Sequence, residues 1–131
     1  MGLDMYAYQV INPEEPSPTH LLGEADYQPL EGALESELHY WRKHPNLHGW
    51  MEKLYYKKGG RAESFNCVNV VLNKEDLNQL EYDLEAYTLP ETEGFFFGKS
   101  NKQDIKNDLE FVKKAKEAIN KGHIVYYTSW W

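Results

Sequence analysis

Residues 3–10 alternate. Leu3, Met5, Ala7 and Gln9 fall on one side of an extended chain, with Asp4, Tyr6, Tyr8 and Val10 on the other. Period two with Tyr and Val predicts a strand. Pro13, Pro16, Pro18, Gly23 and Pro29 then punctuate residues 11–29, which read as a long proline-rich loop. Near Leu30 the period changes. Leu34, Leu38 and Trp41 recur at three-to-four spacing, predicting a helix that Pro45 ends. Proline also suits the first turn of a second helix over about residues 46–58, with Leu47, Trp50, Met51 and Leu54 as its apolar stripe. Lys57 and Lys58 suit the C-terminal dipole, and Gly59-Gly60 stops it. The two helices are expected to pair closely.

Phe65 to Leu72 reads as a second strand. Asn73 is a good N-cap, followed by Glu75 and Asp76 in the first turn of a helix carrying Leu77, Leu80, Leu84 and Tyr87. Phe95–Phe97, set between Gly94 and Gly98, reads as a short strand buried on both faces. Ser100 or Asn101 caps a fourth helix with Ile105, Leu109, Val112, Lys116 and Ile119 near one face; Gly122 stops it, and His123–Tyr127 forms a last strand. The order β-α-α-β-α-β-α-β predicts the α+β class: one layered domain over residues 1–131, a small sheet of about four strands with about four helices. Parallel and antiparallel topologies both remain open.

Composition adds a question. Aromatic residues make up 15% of the chain, more than one small core comfortably hides, and all four Trp sit in two short blocks. Some of that surface is expected to face a ligand or partner. The net charge of −7 argues against binding duplex nucleic acid, which calls for a basic face. A single cysteine, Cys67, excludes an internal disulfide and is expected to be a small buried hydrophobe. No apolar run approaches a membrane span and the opening residues are unlike a signal peptide, so a cytoplasmic protein that does not enter membranes is expected.

Few motifs point to chemistry. Gly98-Lys99-Ser100 has the tail of a phosphate-binding loop, but Glu93 stands where its first glycine belongs, which leaves at most a weak anion site at Lys99. His39, His44 and His48 cluster, yet Pro45 breaks the helical spacing and no second ligand group accompanies them, so no metal and no cofactor are expected. Tyr40-Trp41-Arg42-Lys43 is more informative. On the predicted helix Trp41 shares a face with Leu38 and Leu34 and enters the core, while Arg42 turns about 100° away. An arginine beside large aromatics offers a planar fork for an anion, or for a carboxylate such as Asp4 in the first strand.

Four blocks carry a resemblance. Gly2–Tyr6 (Gly-Leu-Asp-Met-Tyr), Tyr40–Trp50 (Tyr-Trp-Arg-Lys-His, then Leu-His-x-Trp), Leu89–Gly98 (Leu-Pro-x-Thr-x-Gly-Phe-Phe-Phe-Gly) and Tyr126–Trp130 (Tyr-Tyr-x-Ser-Trp) together resemble a family of small phage and prophage proteins of unknown function. The resemblance runs in order through almost the whole chain. It implies a phage-type accessory protein in a bacterial cytosol and transfers no catalytic residue.

The residue pattern itself leads to an expected aromatic pocket. Tyr40, Arg42, His48, Trp50, Lys99 and Trp130 are its candidate ligand-binding residues, supported by Asp4, Tyr6, Trp41 and Phe96. Such a pocket suits a non-enzymatic binder of a small anionic or nucleotide-like ligand, or of a host protein. Two alternatives stay open: a small hydrolase or transferase with His48 or His39 as general base and Arg42 stabilising charge, and an inhibitor of a host protein acting through an acidic, Trp-bearing surface.

Overall fold

The computed structural model describes residues 2–11, 25–29, 34–90, 92 and 103–131. The opening alternation becomes β1 (Asp4–Ile11), with Leu3, Met5 and Ala7 fully buried on one side. The segment predicted as the first helix is instead β2 (Leu34–Arg42), antiparallel to β1. Its helix-like spacing loses to pairing along the whole length of β1, a tertiary contact that local propensity does not encode. Trp41 is buried as expected, but for a different reason: it sits opposite Met5 in the ladder, while Leu34 lies exposed.

The β1–β2 register shifts once. Ala7 faces His39 and Tyr8 faces Glu37, so Leu38 is the extra residue of a bulge. The bulge changes the parity of β2. Ser36, His39 and Trp41 lie on the side of Gln9, Ala7 and Met5, whereas Glu35, Glu37, Tyr40 and Arg42 lie on the side of Val10, Tyr8, Tyr6 and Asp4.

Lys43, at φ 54, turns the chain out of the strand. His44, at φ −115 and ψ 73, leads into Pro45 at the start of α1 (Pro45–Lys57). Next come β3 (Val70–Leu72), α2 (Lys74–Glu85), α3 (Gln103–Asn120) and β4 (Ile124–Trp130). The strand expected from Phe65 shortens to three residues, because Cys67 adopts a left-handed φ of 62 and breaks the ladder; Cys67 is exposed, not buried. Asn73 caps α2 as expected, in a reciprocal box with Asp76: Asp76 N donates to Asn73 Oδ1 at 2.8 Å and Asn73 N to Asp76 Oδ2 at 2.9 Å.

The sheet has the order β2-β1-β4-β3, and every pair is antiparallel. The described residues thus form an α+β fold of four strands and three helices, against four helices expected. The predicted strand at Phe95–Phe97 lies outside the described residues, as does most of the proline-rich loop. One main core joins Met5, Trp41, Leu72 and Tyr127 from the inner sheet face to Met51 and Tyr55 of α1, Leu80 and Leu84 of α2, and Phe111 and Ala115 of α3. A second, smaller cluster lies on the other side of the sheet: Val10, Val71, Ile124 and Tyr126, covered by Tyr27. Ala25 bridges to Val70, and Asn69 Nδ2 donates to the Tyr27 carbonyl at 2.8 Å, which fixes this cover over one end of the outer face.

Candidate functional site

Beyond that cluster the outer face carries exposed side chains, with Tyr126 buried at its boundary, and its residues follow from the register. Asp4 lies between Arg42 on β2 and Trp130 on β4; in the next row Tyr6 lies between Tyr40 and Thr128; beyond it Tyr8 lies between Glu37 and Tyr126. Tyrosine rings run across these rows without a gap. Ring centroids are 5.2 Å apart for Tyr40 and Tyr6, 5.9 Å for Tyr6 and Tyr8, 5.7 Å for Tyr8 and Tyr126, and 5.6 Å for Tyr126 and Tyr27. Neighbouring rings at this spacing hold one another in place and present a rigid, amphipathic surface. Trp130 is 61% exposed and Tyr40 44%, so the surface is available to a partner.

Carboxylates edge the tyrosines. Tyr40 Oη donates to Asp4 Oδ1 at 2.6 Å, and Tyr126 Oη donates to Glu35. The bond to Asp4, with some burial, raises the Tyr40 phenol to about 12. Tyr126 is raised by burial first and then by its bond to Glu35, and Tyr6 and Tyr8 are raised by burial with nearby carboxylates adding to it. All four phenols therefore stay protonated and neutral near pH 7. Arg42 is the cation of this face. Its Nε lies 3.7 Å from Asp4 Oδ1 with the side chain more than half exposed, an arrangement worth little in stability.

Of the ligand-binding candidates, Tyr40, Arg42 and Trp130 thus share one face with the supporting residues Asp4 and Tyr6. The others lie elsewhere. His48 and Trp41 belong to the core on the opposite side of the sheet. His48 Nδ1 lies 2.7 Å from Tyr127 Oη, with the rings of Phe65 and Trp131 at 5.0 and 4.9 Å. Burial lowers its pKa to about 4, so it is neutral at pH 7. Trp50 lines a separate groove of about 600 Å³ between α1 and α2, where its Nε1 donates to Asp83 Oδ2 at 2.8 Å. Lys99 and Phe96 lie outside the described residues.

Another polar cluster was not anticipated. Asp108 of α3, fully buried, accepts from Trp41 Nε1 at 2.9 Å and lies 2.6 Å from His44 Nε2. Asp104 approaches the other ring nitrogen of His44 at 3.7 Å. A carboxylate that orients a histidine is half of an acid–base site, but His44 is itself buried, and its contacts tie α3 to the β2–α1 connection. Among the described residues no group of three His, Cys, Asp or Glu side chains is placed to hold a metal ion, and no helix is long and apolar enough to cross a membrane.

Tyr8, Glu35, Glu37 and Tyr126 complete the outer face and were not among the sequence candidates. The alternation of β1 already sets Tyr8 beside Tyr6. Glu35 and Glu37 were hidden by the helical reading of β2. No known protein family, curated protein or solved structure matches the chain.

Proposed function

We propose that this chain is a non-enzymatic binding protein, a phage-type accessory protein that holds a basic segment of a host protein on the outer face of its sheet. The observation that carries this reading is the ordered row Tyr40–Tyr6–Tyr8, backed by the buried ring of Tyr126, flanked by Trp130 and edged by Asp4, Glu35 and Glu37. Tyrosine and tryptophan faces attract Arg and Lys side chains, and adjacent carboxylates accept their hydrogen bonds. For a small anionic or nucleotide-like ligand the same face offers one described cation, Arg42, already beside Asp4. The overall charge of −7 likewise favours a cationic partner.

A titration of the isotopically labelled protein with an arginine-rich peptide, followed by NMR, tests this reading. The expected shifts cluster at Tyr6, Tyr8, Tyr40, Thr128 and Trp130. Tyr6→Ser with Tyr40→Ser weakens binding by about tenfold or more, the scale of losing an aromatic anchor. An acidic peptide or a nucleotide that binds more tightly, or peptide shifts confined to the helical side, overturns it.

A further inference from the structure

The strand order leaves β2 at one border of the sheet: β1 pairs with one side of it, and no described residue pairs with the other. A free edge of this kind is a template for another strand. β2 is nine residues long, against about five or six for an average strand, with the bulge at Leu38 dividing it into the paired runs 34–37 and 39–42. Many exposed edges are guarded by charges that repel any incoming copy. The charges of β2 are arranged differently.

Because of the bulge at Leu38, Glu35, Glu37, Tyr40 and Arg42 all lie on one face. A second copy of β2, run antiparallel about a two-fold axis between Leu38 and His39, meets the first with all its faces matched. Glu35 then stands opposite the partner's Arg42, and Glu37 opposite the partner's Tyr40. Two-fold symmetry repeats both pairs. On the inner side Ser36 meets the partner's Trp41. Sliding the register toward the start of the strand, until Ser36 meets its own copy, sets Glu35 against Glu37 twice and shortens the overlap; like charges directly opposite are unfavourable. The strand is thus complementary to itself in its longest face-matched register.

We propose that the chain forms a homodimer through this edge, with Glu35 opposite Arg42 and Glu37 opposite Tyr40 of the second copy, joining two sheets into one of eight strands. The occupant is a second copy of this chain. The inference goes beyond the outer-face reading and does not depend on it, since Tyr6, Tyr8 and Trp130 remain uncovered. The dimer would present two tyrosine faces side by side.

Analytical ultracentrifugation up to about 1 mM, a range that reads even weak specific pairing, tests the proposal by charge exchange. The wild type is expected to show a monomer–dimer equilibrium. Glu35→Arg and Arg42→Glu each weaken it at least tenfold, and the double variant restores it to within about threefold of wild type. Tyr126→Phe, which removes the phenol that bonds to Glu35, leaves the dimer intact and separates pairing from local stability. A second readout avoids charge changes in the strand. Residues directly opposite in a ladder have Cβ atoms about 4.5–5.5 Å apart. In a Cys67→Ser background, Glu37→Cys protein mixed with Tyr40→Cys protein therefore cross-links on oxidation, whereas Glu37→Cys protein alone does not. A wild type that stays monomeric throughout, single variants that dimerise normally, or a double variant no better than the singles overturns the proposal. Failure of peptide binding alone would leave the dimer standing and remove only the outer-face reading.

Discussion

Lowering the pH from 7.5 to 4.5 should destabilise this protein through His48, and the size of the effect follows from its surroundings. The ring is 1% exposed, packed against Phe65, Trp131 and Tyr127, with one nitrogen bonded to the Tyr127 hydroxyl. Burial disfavours the charged imidazolium and lowers the pKa from 6.5 to about 4. In the unfolded chain the same ring takes up its proton near 6.5. Between the two values the unfolded state binds more protons, so the contribution of neutral His48 is complete above about pH 6.5. It is lost as pH falls toward 4, below which the native ring is protonated too and the loss stops. At about 1.4 kcal/mol per pH unit the loss is about 2–3 kcal/mol by pH 4.5, a large share of a typical domain's stability.

The assay is urea unfolding followed by tryptophan fluorescence at several pH values for wild type and His48→Asn. Asparagine keeps a polar group near the position of Nδ1 and does not titrate. The variant is expected to be less stable at pH 7.5 by about 2 kcal/mol from lost ring packing, and the difference to change by about 2–3 kcal/mol by pH 4.5, closing or reversing the gap. His39, whose pKa is also lowered, by burial first and by Lys114 second, is present in both proteins and cancels in the difference. Parallel stability curves for the two proteins would refute the burial argument.

Two further predictions concern single contacts. Asp108→Ala removes the acceptor that Trp41 Nε1 and His44 share, and should cost about 3 kcal/mol or more by chemical denaturation; Asp108→Asn, which keeps one acceptor, should recover part of that, and equal losses would show that the bonds contribute nothing beyond packing. Asn73→Ala breaks the capping box of α2 and should lower stability by about 1 kcal/mol, with Asn73→Ser nearly neutral; an alanine variant as stable as wild type would mean that tertiary contacts alone hold that helix start.

Half of the outer face could be read directly from residues. Alternation in β1 places Asp4, Tyr6 and Tyr8 together wherever the strand lies, because successive side chains of an extended chain point to opposite sides. The other half depended on β2. Leu34, Leu38 and Trp41 match a helical stripe as well as any true one in this chain, and nothing local says that β1 will pair with this segment. Taken as a helix, the segment turns Tyr40, Trp41 and Arg42 about 100° apart in succession. As a strand it sends Trp41 into the core and sets Tyr40 with Arg42 outside. His48 shows the converse: a polar ring in an apolar stripe reads as a site residue, and only packing against Tyr127 and Phe65 reveals a core histidine.

The sequence by itself determined the α+β class, the start and stop of α1, the start of α2, the strand character of β1 and the aromatic surplus, because periodicity, Pro45, Asn73 and Gly59 act over a few neighbouring residues; it carried α2 on to Tyr87, where the structure ends the helix at Glu85 and turns Tyr87 to a φ of 57. Only the tertiary structure decided where the surplus goes. Strand pairing and the bulge at Leu38 set the face that each side chain of β2 presents, and both are long-range choices. Those choices bury Trp41 under the helices and leave Tyr40, Tyr6, Tyr8 and Trp130 as one surface bordered by carboxylates, while the packing of α1 on the inner sheet face buries His48 against Tyr127.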